Sequence, residues 1–353
     1  MEQSKQNLLE MIDRPAFIVK DGIIIDRNEP AKHRQIPLGE AVASLMPEGC
    51  DAYRDYRGGI LYLTLQIGWI RCGATVVRQE AGDIFLMDRD ADQAQLQTLA
   101  LAAQQLRMPL SNVMTVADQL FPELSEEAHK EKASQMRRAL FQLMRLITNM
   151  ADAERYTGLD DPTFENTELV SFIREIVEKA DASVAPTQMR LSFNCPEARI
   201  FTMIDRERME RAVLNLLSNA VKFSRPGSPV EVQLTRSGKL AMLTVEDRGS
   251  GIADHVQGTL FHRYMREPAI EDSRFGLGLG MTLVRTVAAA HGGTVLLEQT
   301  EGTKVAMTMA IRKEVPGALR SPRLRIGDYA GGRDLGLLEF SDCLPNSAYE
   351  EMI

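Results

Sequence analysis

The chain has few cysteines, and their positions argue against a cysteine-based framework. No Cys-x-x-Cys pair occurs, and the four residues are far apart: Cys50, Cys72, Cys195 and Cys343. Disulfide frameworks and zinc sites need closely spaced or regularly repeated cysteines. We therefore expect reduced thiols and no structural zinc.

Long apolar runs are also absent. The longest, residues 58–77, is interrupted by Gln66 and Arg71, and a membrane-spanning helix needs roughly 20 predominantly apolar residues. Its alternation of polar and apolar positions predicts strands instead. Residues 1–14 carry charges but no apolar core of a signal peptide, so we expect a cytoplasmic protein without a membrane span.

Positive charge is not in excess. The 353 residues include 41 basic and 49 acidic side chains, giving a net charge of −8, and no polybasic block occurs. A nucleic-acid partner is therefore not expected. The length predicts two or three domains, each with its own core.

The first 90 residues are typical of a small β-rich domain. Two β-branched runs flank Asp21-Gly22 within residues 15–29, which predicts a hairpin. Further strands are predicted near 59–67, 69–78 and 83–88. Two strands, short helices and three strands resemble a PAS-type sensor domain, so we assign residues 1–90 to a PAS-like domain. His33 is isolated in a loop and is interpreted as a surface residue.

From residue 91 the apolar period changes to alternating steps of three and four, which is the heptad pattern of packed helices. Ser125 is a predicted cap of the second helix, and Asp160-Asp161-Pro162 is a predicted linker. Residues 91–158 thus form a predicted helical hairpin, which either dimerises into a four-helix bundle or stays buried within a monomer. The repeated positions are Leu96, Leu99, Ala103, Leu106, Leu110, Val113, Ala117 and Leu120, then Ala133, Met136, Leu140, Leu143, Ile147 and Met150.

Residues 163–312 contain four stretches suited to a nucleotide. The first, "ERMERAVLNLLSNAVKFS", places Asn215 and Asn219 on one helix face with Lys222 near them; amide oxygens suit Mg²⁺ and a lysine suits phosphate. The second, "VEDRGSGI", puts a carboxylate and two glycines after a strand. The fourth, "FGLGLGM", places glycines before a helix, where backbone N–H groups can hold phosphates. The residues of these two stretches are Asp247, Gly249, Gly251, Gly276, Gly278 and Gly280.

In this order the stretches resemble the N, G1, F and G2 boxes of the sensor histidine kinases, which belong to the same group as gyrase, MutL and the heat-shock ATPase chaperone. The F box corresponds to "LFHRYMRE", whose Arg263 and Arg266 lie in the counterpart of the ATP lid. The resemblance covers residues 91–312. It implies an α+β multidomain protein: a PAS-like α/β sensor domain, a dimerising helical hairpin, and an α/β-sandwich ATP-binding domain of the Bergerat or GHKL type at 163–312.

The resemblance also implies roles for the residues. Asn219 would hold Mg²⁺ with Asn215 beside it, Lys222 and the lid arginines would meet phosphates, and Asp247 would select adenine. The implied cofactors are ATP and Mg²⁺. The implied partners are a second copy or another histidine kinase, and a response regulator.

The hairpin departs from the family where its chemistry would lie. The family reads His-Glu-Leu-Arg-Thr-Pro-Leu, whereas this chain has Gln104, Gln105 and Met108 at the histidine, glutamate and threonine positions. An amide is neither a nucleophile nor a base, and methionine has no hydroxyl. Asn215 also occupies the position at which ATP-hydrolysing relatives carry a glutamate that acts as the general base. His129 is interpreted as a packing or capping residue.

Two main hypotheses follow. In the first, the protein is a nucleotide-responsive signalling partner that cannot phosphorylate itself at the usual site. In the second, it is an active kinase that phosphorylates the histidine of a partner kinase, or an atypical acceptor. A third, a binding module with only residual nucleotide affinity, is least favoured by the intact boxes. The tail at 313–353 is either a docking segment or, more commonly for such termini, a loosely packed end.

Overall fold

A computed structural model describes most of the chain. The described residues are 9–10, 12, 14–79, 82–88, 90–123, 127–157, 162–251, 279–312 and 334–350. The strands are β1 (Ala16–Lys20), β2 (Ile23–Arg27), β3 (Ile60–Ile67), β4 (Ile70–Gln79), β5 (Gly82–Met87), β6 (Glu165–Glu168), β7 (Arg190–Asn194), β8 (Phe201–Ile204), β9 (Pro229–Ser237), β10 (Leu240–Glu246), β11 (Val295–Gln299) and β12 (Thr303–Ala310). The helices are α1 (Glu29–His33), α2 (Cys50–Asp55), α3 (Asp90–Leu120), α4 (Glu127–Thr157), α5 (Leu169–Val184), α6 (Arg206–Phe223), α7 (Leu279–Ala290) and α8 (Leu335–Glu339).

The predicted N-terminal strands are confirmed. Asp21 and Gly22 have φ of 52° and 78°, the left-handed conformation that a tight hairpin turn needs and that glycine adopts without strain. The strands after the first helices also form, and the five pair in the order β2-β1-β5-β4-β3. Phe17 and Phe85 stack with ring centroids 4.8 Å apart and lie in the core beneath this sheet.

The N-terminal sheet continues into the C-terminal one. β3 pairs antiparallel with β11, with Tyr62 opposite Val295, so the ten strands follow the order β2-β1-β5-β4-β3-β11-β12-β10-β9-β7. Beside this junction the Arg285 guanidinium donates to Asp88 at 2.7 Å and lies 4.3 Å from the Tyr62 ring centroid. Strand pairing and a buried cation therefore both fix the first domain against the last.

The C-terminal part is a layer of helices on a mixed sheet. Helices α5, α6 and α7 bury apolar faces and belong to the same core as β9, β10 and β12. Only β7 and β9 are parallel among the pairs of the described large sheet. A separate two-stranded sheet joins β6 to β8. The Glu168 carboxylate caps α5 by accepting from the backbone of Val170 and Ser171.

The helical hairpin forms as α3 and α4, but its predicted apolar seam is divided between two faces. Ala103, Leu110 and Ala117 are buried, whereas Leu106, Val113 and Leu120 are 46–52% exposed. The two heptad positions point about 60° apart, so the one neighbouring helix of the hairpin covers one flank of the seam and leaves the other exposed. Helix α4 is divided in the same way, with Ala133, Leu140 and Ile147 buried and Met136 and Leu143 exposed. Of the other predicted positions, Leu99 and Met150 are half-buried. The Leu96 side chain and Ser125, Asp160 and Asp161 lie outside what the structure describes.

Within the described ranges, every helix is either too short or too polar to cross a membrane.

A buried histidine ties α7 to the start of α6. His291 Nε2 accepts from Asp205 N at 3.0 Å, and its Nδ1 lies 2.8 Å from Val287 O. Because Asp205 N only donates and Val287 O only accepts, the neutral ring carries its proton on Nδ1. Burial lowers the pKa of His291 to about 4 from its ordinary 6.5. The folded protein therefore needs this ring neutral.

This buried ring gives a predicted pH dependence of stability. Its pKa is lower in the folded than in the unfolded state, so below pH 6.5 the unfolded chain binds the extra proton and the free energy of unfolding falls. The loss should approach about 1.4 kcal/mol per pH unit between pH 6.5 and 4. Denaturant unfolding of the unaltered protein and of His291→Asn, which has no group titrating there, measures it. Equal pH slopes for the two proteins would contradict this assignment.

Candidate functional site

Helix α6 carries the three polar residues of the first predicted stretch. It begins after Asp205, whose side chain accepts from Arg208 N at 3.1 Å, and it buries Met209, Val213 and Leu217 against the core. This burial fixes the rotation of the helix. Asn219 is half-buried, one turn after the fully buried Asn215, and Lys222 lies in the last turn.

Asn215 meets the start of α7. Its Nδ2 donates to Arg211 O at 2.9 Å, and a Cβ added to Gly280 would lie 2.7 Å from its Oδ1. A glycine is therefore required at 280 for α7 to approach α6 this closely. The structure thus brings together two of the predicted stretches at Asn215 and Gly280.

The Asp247 turn packs against the C-terminal end of α6. Asp247 follows β10, is buried, and accepts through Oδ1 from Gly249 N at 2.8 Å and Thr303 N at 3.2 Å. Burial raises the pKa of its carboxyl above the ordinary 3.8. A Cβ on Gly249 would lie 2.3 Å from Phe223 O, so the turn packs directly on the end of α6. Gly251 has a φ of +73°, which favours glycine.

The remaining predicted positions either lie outside the described residues or belong to the hairpin. Arg263, Arg266, Gly276 and Gly278 lie outside the described residues. On helix α3 the side chains of Gln104, Gln105 and Met108 are exposed. Gln104 lies about half a helical turn from Leu106, so it is on the opposite side of α3 from Leu106, Val113 and Leu120.

Lys222 has a partner that the sequence pattern did not indicate. Its side chain is only 7% exposed, and its Nζ donates to Asp342 Oδ2 at 3.1 Å. Arg145, on the hairpin helix α4, donates to the same oxygen at 2.9 Å. Asp342 belongs to residues 334–350, which we name the C-terminal segment. Of the two alternatives for the tail, this segment is docked, with Phe340, Leu344 and Tyr349 fully buried.

A buried ionic cluster anchors the segment. Glu339 is fully buried and pairs with Arg211, itself 1% exposed. Arg211 also donates to Asp152 and Asn149 of α4, both at 2.8 Å. The Ser218 hydroxyl of α6 accepts from Arg145 at 2.8 Å and donates to Glu339 O at 2.9 Å. The cluster therefore joins α4, α6 and α8.

Sequence reasoning missed this cluster, although one local signal was present. "DLGLLEF", residues 334–340, places an apolar run after a capping aspartate within an otherwise Pro- and Gly-rich tail. Asp334 does accept from Leu337 N at 2.9 Å as the cap of α8. The partners of Glu339 could not be identified in this way, because no local pattern joins residues this far apart in the sequence.

Comparison with known proteins identifies the class. The family profile described as "Histidine kinase-, DNA gyrase B-, and HSP90-like ATPase" matches residues 204–313, which include α6, the Asp247 turn and α7. The chain is 30% identical over 224 residues to the signal transduction histidine-protein kinase/phosphatase MprB of Mycolicibacterium vanbaalenii, covering 61% of this chain and 45% of that protein. It is 27% identical over 196 residues to the sensor protein KdpD of Clostridium acetobutylicum, covering 54% and 21%.

A solved structure shares the fold. The crystal structure described as full-length ShkA in complex with AMPPNP superposes with a TM-score of 0.52 at 19% identity, covering 62% of this chain and 47% of that one. The chain spans less than half the length of the relatives described above. Residues 204–313 therefore carry a histidine kinase-, DNA gyrase B-, and HSP90-like ATPase domain, and over more than half of its length the chain is similar to sensor histidine kinases of two-component signalling.

Proposed function

We propose that this chain binds Mg-ATP between α6, the Asp247 turn and the start of α7, and signals in response without phosphorylating its own hairpin at residue 104. The observation that carries the proposal is the convergence of three separate stretches, through the close approaches of Gly249 to Phe223 and of Gly280 to Asn215. Residues from several stretches that meet in one place suit the binding of a single extended ligand. The AMPPNP complex of the structural relative supports a nucleotide as that ligand.

The described residues fit the parts of such a ligand. The Asp247 carboxylate would accept the adenine amino proton, since its turn is already held by two backbone donors. The half-buried Asn219 would offer its amide oxygen to Mg²⁺, which prefers oxygen ligands. Asn215 stands beside it but is buried and bonded to Arg211 O. Lys222 supplies positive charge for phosphates. Bound Mg²⁺ would screen the negative charge of the phosphates.

The hairpin lacks the groups for the usual phosphotransfer. Transfer to a histidine requires a ring nitrogen to attack the γ-phosphorus as ADP leaves, with a base accepting the ring proton. Gln104 and Gln105 are exposed amides and offer neither group. Nucleotide binding would then act by shifting the arrangement of the ATPase domain and hairpin.

The N-terminal domain and the hairpin suit the remaining parts of a sensor protein. The antiparallel order β2-β1-β5-β4-β3, with short helices between β2 and β3, supports a PAS-like sensor domain at residues 1–90. Leu106, Val113 and Leu120 form an exposed apolar stripe on α3, with Met136 and Leu143 on α4. Such a stripe supports pairing with a second copy or with another kinase's hairpin.

Asp247→Asn should lower the affinity for Mg-ATP by about 10- to 100-fold, because hydrogen bonds to charged groups contribute about 1.5–3 kcal/mol. The amide oxygen can still accept from Gly249 and Thr303, so the turn should persist. Calorimetric titration measures the affinity. Glu246→Gln is the matched control, since neighbouring side chains of a strand point to opposite faces, and it should bind as the unaltered protein does. Unchanged affinity for Asp247→Asn would remove Asp247 from the site.

Restoring the hairpin groups should restore self-phosphorylation. With γ-labelled Mg-ATP, the double variant Gln104→His, Gln105→Glu should acquire acid-labile, alkali-stable label, because it regains both nucleophile and base. Gln105→Glu alone is the control and should remain unlabelled. Label in this control or in the unaltered protein would favour an atypical acceptor. An unlabelled double variant that binds nucleotide would mean that more than the acceptor has been lost.

The exposed stripe should govern association. Leu106→Glu with Val113→Glu places charge where a second hairpin would pack, and should shift the protein to monomer in sedimentation velocity at concentrations where the unaltered chain is a dimer. Met108→Glu, which alters a more exposed apolar residue on another face of α3, should leave the dimer intact. A monomeric unaltered protein at high concentration would contradict the dimer.

A further inference from the structure

The C-terminal segment is held at two points of different character. Glu339 is fully buried between Arg211 and Arg145, so this end is anchored in the core. Asp342 is nearer the surface, with 24% of its side chain exposed, and it is held by Arg145 and Lys222. The outer point can therefore change partners without loss of the inner one.

The segment also bridges two parts of the molecule. On the hairpin side, Arg138 donates to Ser341 O at 3.1 Å and to Asp342 O at 3.2 Å, and Arg137 donates to Tyr349 O at 3.1 Å. On the ATPase-domain side, Ser218 and Lys222 of α6 hold Glu339 O and Asp342. While docked, the segment links α4 to α6.

Lys222 is the point at which this link meets the proposed nucleotide site. It lies one turn beyond Asn219 on α6, and the following residue, Phe223, packs on the Gly249 turn. A phosphate drawn to Lys222 would come close to the Asp342 carboxylate. Two anions sharing one buried cation repel each other strongly where water is scarce.

We propose that the C-terminal segment is a nucleotide-responsive latch: docked, it neutralises Lys222 through Asp342 and holds the ATPase domain to the hairpin. The phosphates of a bound nucleotide take over Lys222 and loosen the Asp342 end. This proposal rests on nucleotide binding at the site described above. By linkage, the factor by which docking weakens nucleotide binding equals the factor by which nucleotide weakens docking.

The first test compares nucleotide affinities of the full-length protein. Asp342→Asn removes the competing charge but leaves Lys222 and the nucleotide site untouched, so Mg-ATP should bind about 5-fold more tightly or better in calorimetric titration. Glu350→Gln is the matched control, because it neutralises an exposed carboxylate at the end of the same segment. It should bind Mg-ATP as the unaltered protein does.

The second test reads docking itself through Cys343. Its thiol packs 3.7 Å from Ser218 O, and burial raises its pKa to about 11, so alkylation should be slow while the segment is docked. Saturating Mg-ATP should accelerate alkylation of Cys343 several-fold, as measured by peptide mass spectrometry. In Asp342→Asn, alkylation of Cys343 should be fast even without nucleotide. Cys195, a half-buried thiol directly after β7, serves as the internal reference within the same digest, and its alkylation should not change.

The outcomes separate the two proposals. If the unaltered protein and Asp342→Asn bind Mg-ATP with equal affinity, the latch is wrong while nucleotide binding stands. The same holds if saturating Mg-ATP leaves the alkylation of Cys343 unchanged. If neither protein binds Mg-ATP, the proposed function fails and the latch fails with it. Tighter binding by Asp342→Asn together with nucleotide-dependent exposure of Cys343 supports the latch.

Discussion

The buried guanidinium of Arg211 is the interaction on which the arrangement of the molecule depends. It is satisfied by Asp152 and Asn149 from the hairpin and by Glu339 from the C-terminal segment. Removing a charge from water costs several kcal/mol, and the attraction within the protein offsets this cost only when the partners are in place. Arg211 therefore requires the hairpin, α6 and the C-terminal segment to be assembled together.

Helix α6, which carries Arg211, also forms part of the proposed nucleotide site. One face of α6 carries Arg211 and Ser218, which contact the hairpin and the segment, and Asn215, which meets α7. The end of the helix meets the Asp247 turn. A rigid helix transmits a small rotation or shift along its length because its side chains are tightly packed. Under the proposed function, nucleotide binding and the hairpin would be coupled through α6, even though Gln104 stands where the resemblance places the acceptor histidine.

Local patterns in the sequence were sufficient to predict the helices and strands, but not which distant elements pack or pair with one another. The Asp21-Gly22 hairpin and the two long helices followed from turn chemistry and heptad spacing, and the ordered boxes indicated the similarity to sensor histidine kinases. The pairing of β3 with β11 and the ion pair of Arg211 with Glu339 join distant parts of the chain, for which no local pattern exists. The division of the apolar seam at Leu106 and Leu110 also depends on where the neighbouring helix lies, which periodicity alone does not specify.

Intact-mass spectrometry tests the central claim most directly, since one sample reports both nucleotide binding and covalent phosphorylation. The purified chain is incubated with Mg-ATP, then measured first under native conditions and again after denaturation at alkaline pH, where phosphohistidine survives. The account predicts one bound nucleotide per chain in the native spectrum and no added phosphoryl mass after denaturation. A phosphorylated denatured chain, or a native chain without nucleotide at saturating concentration, would contradict it.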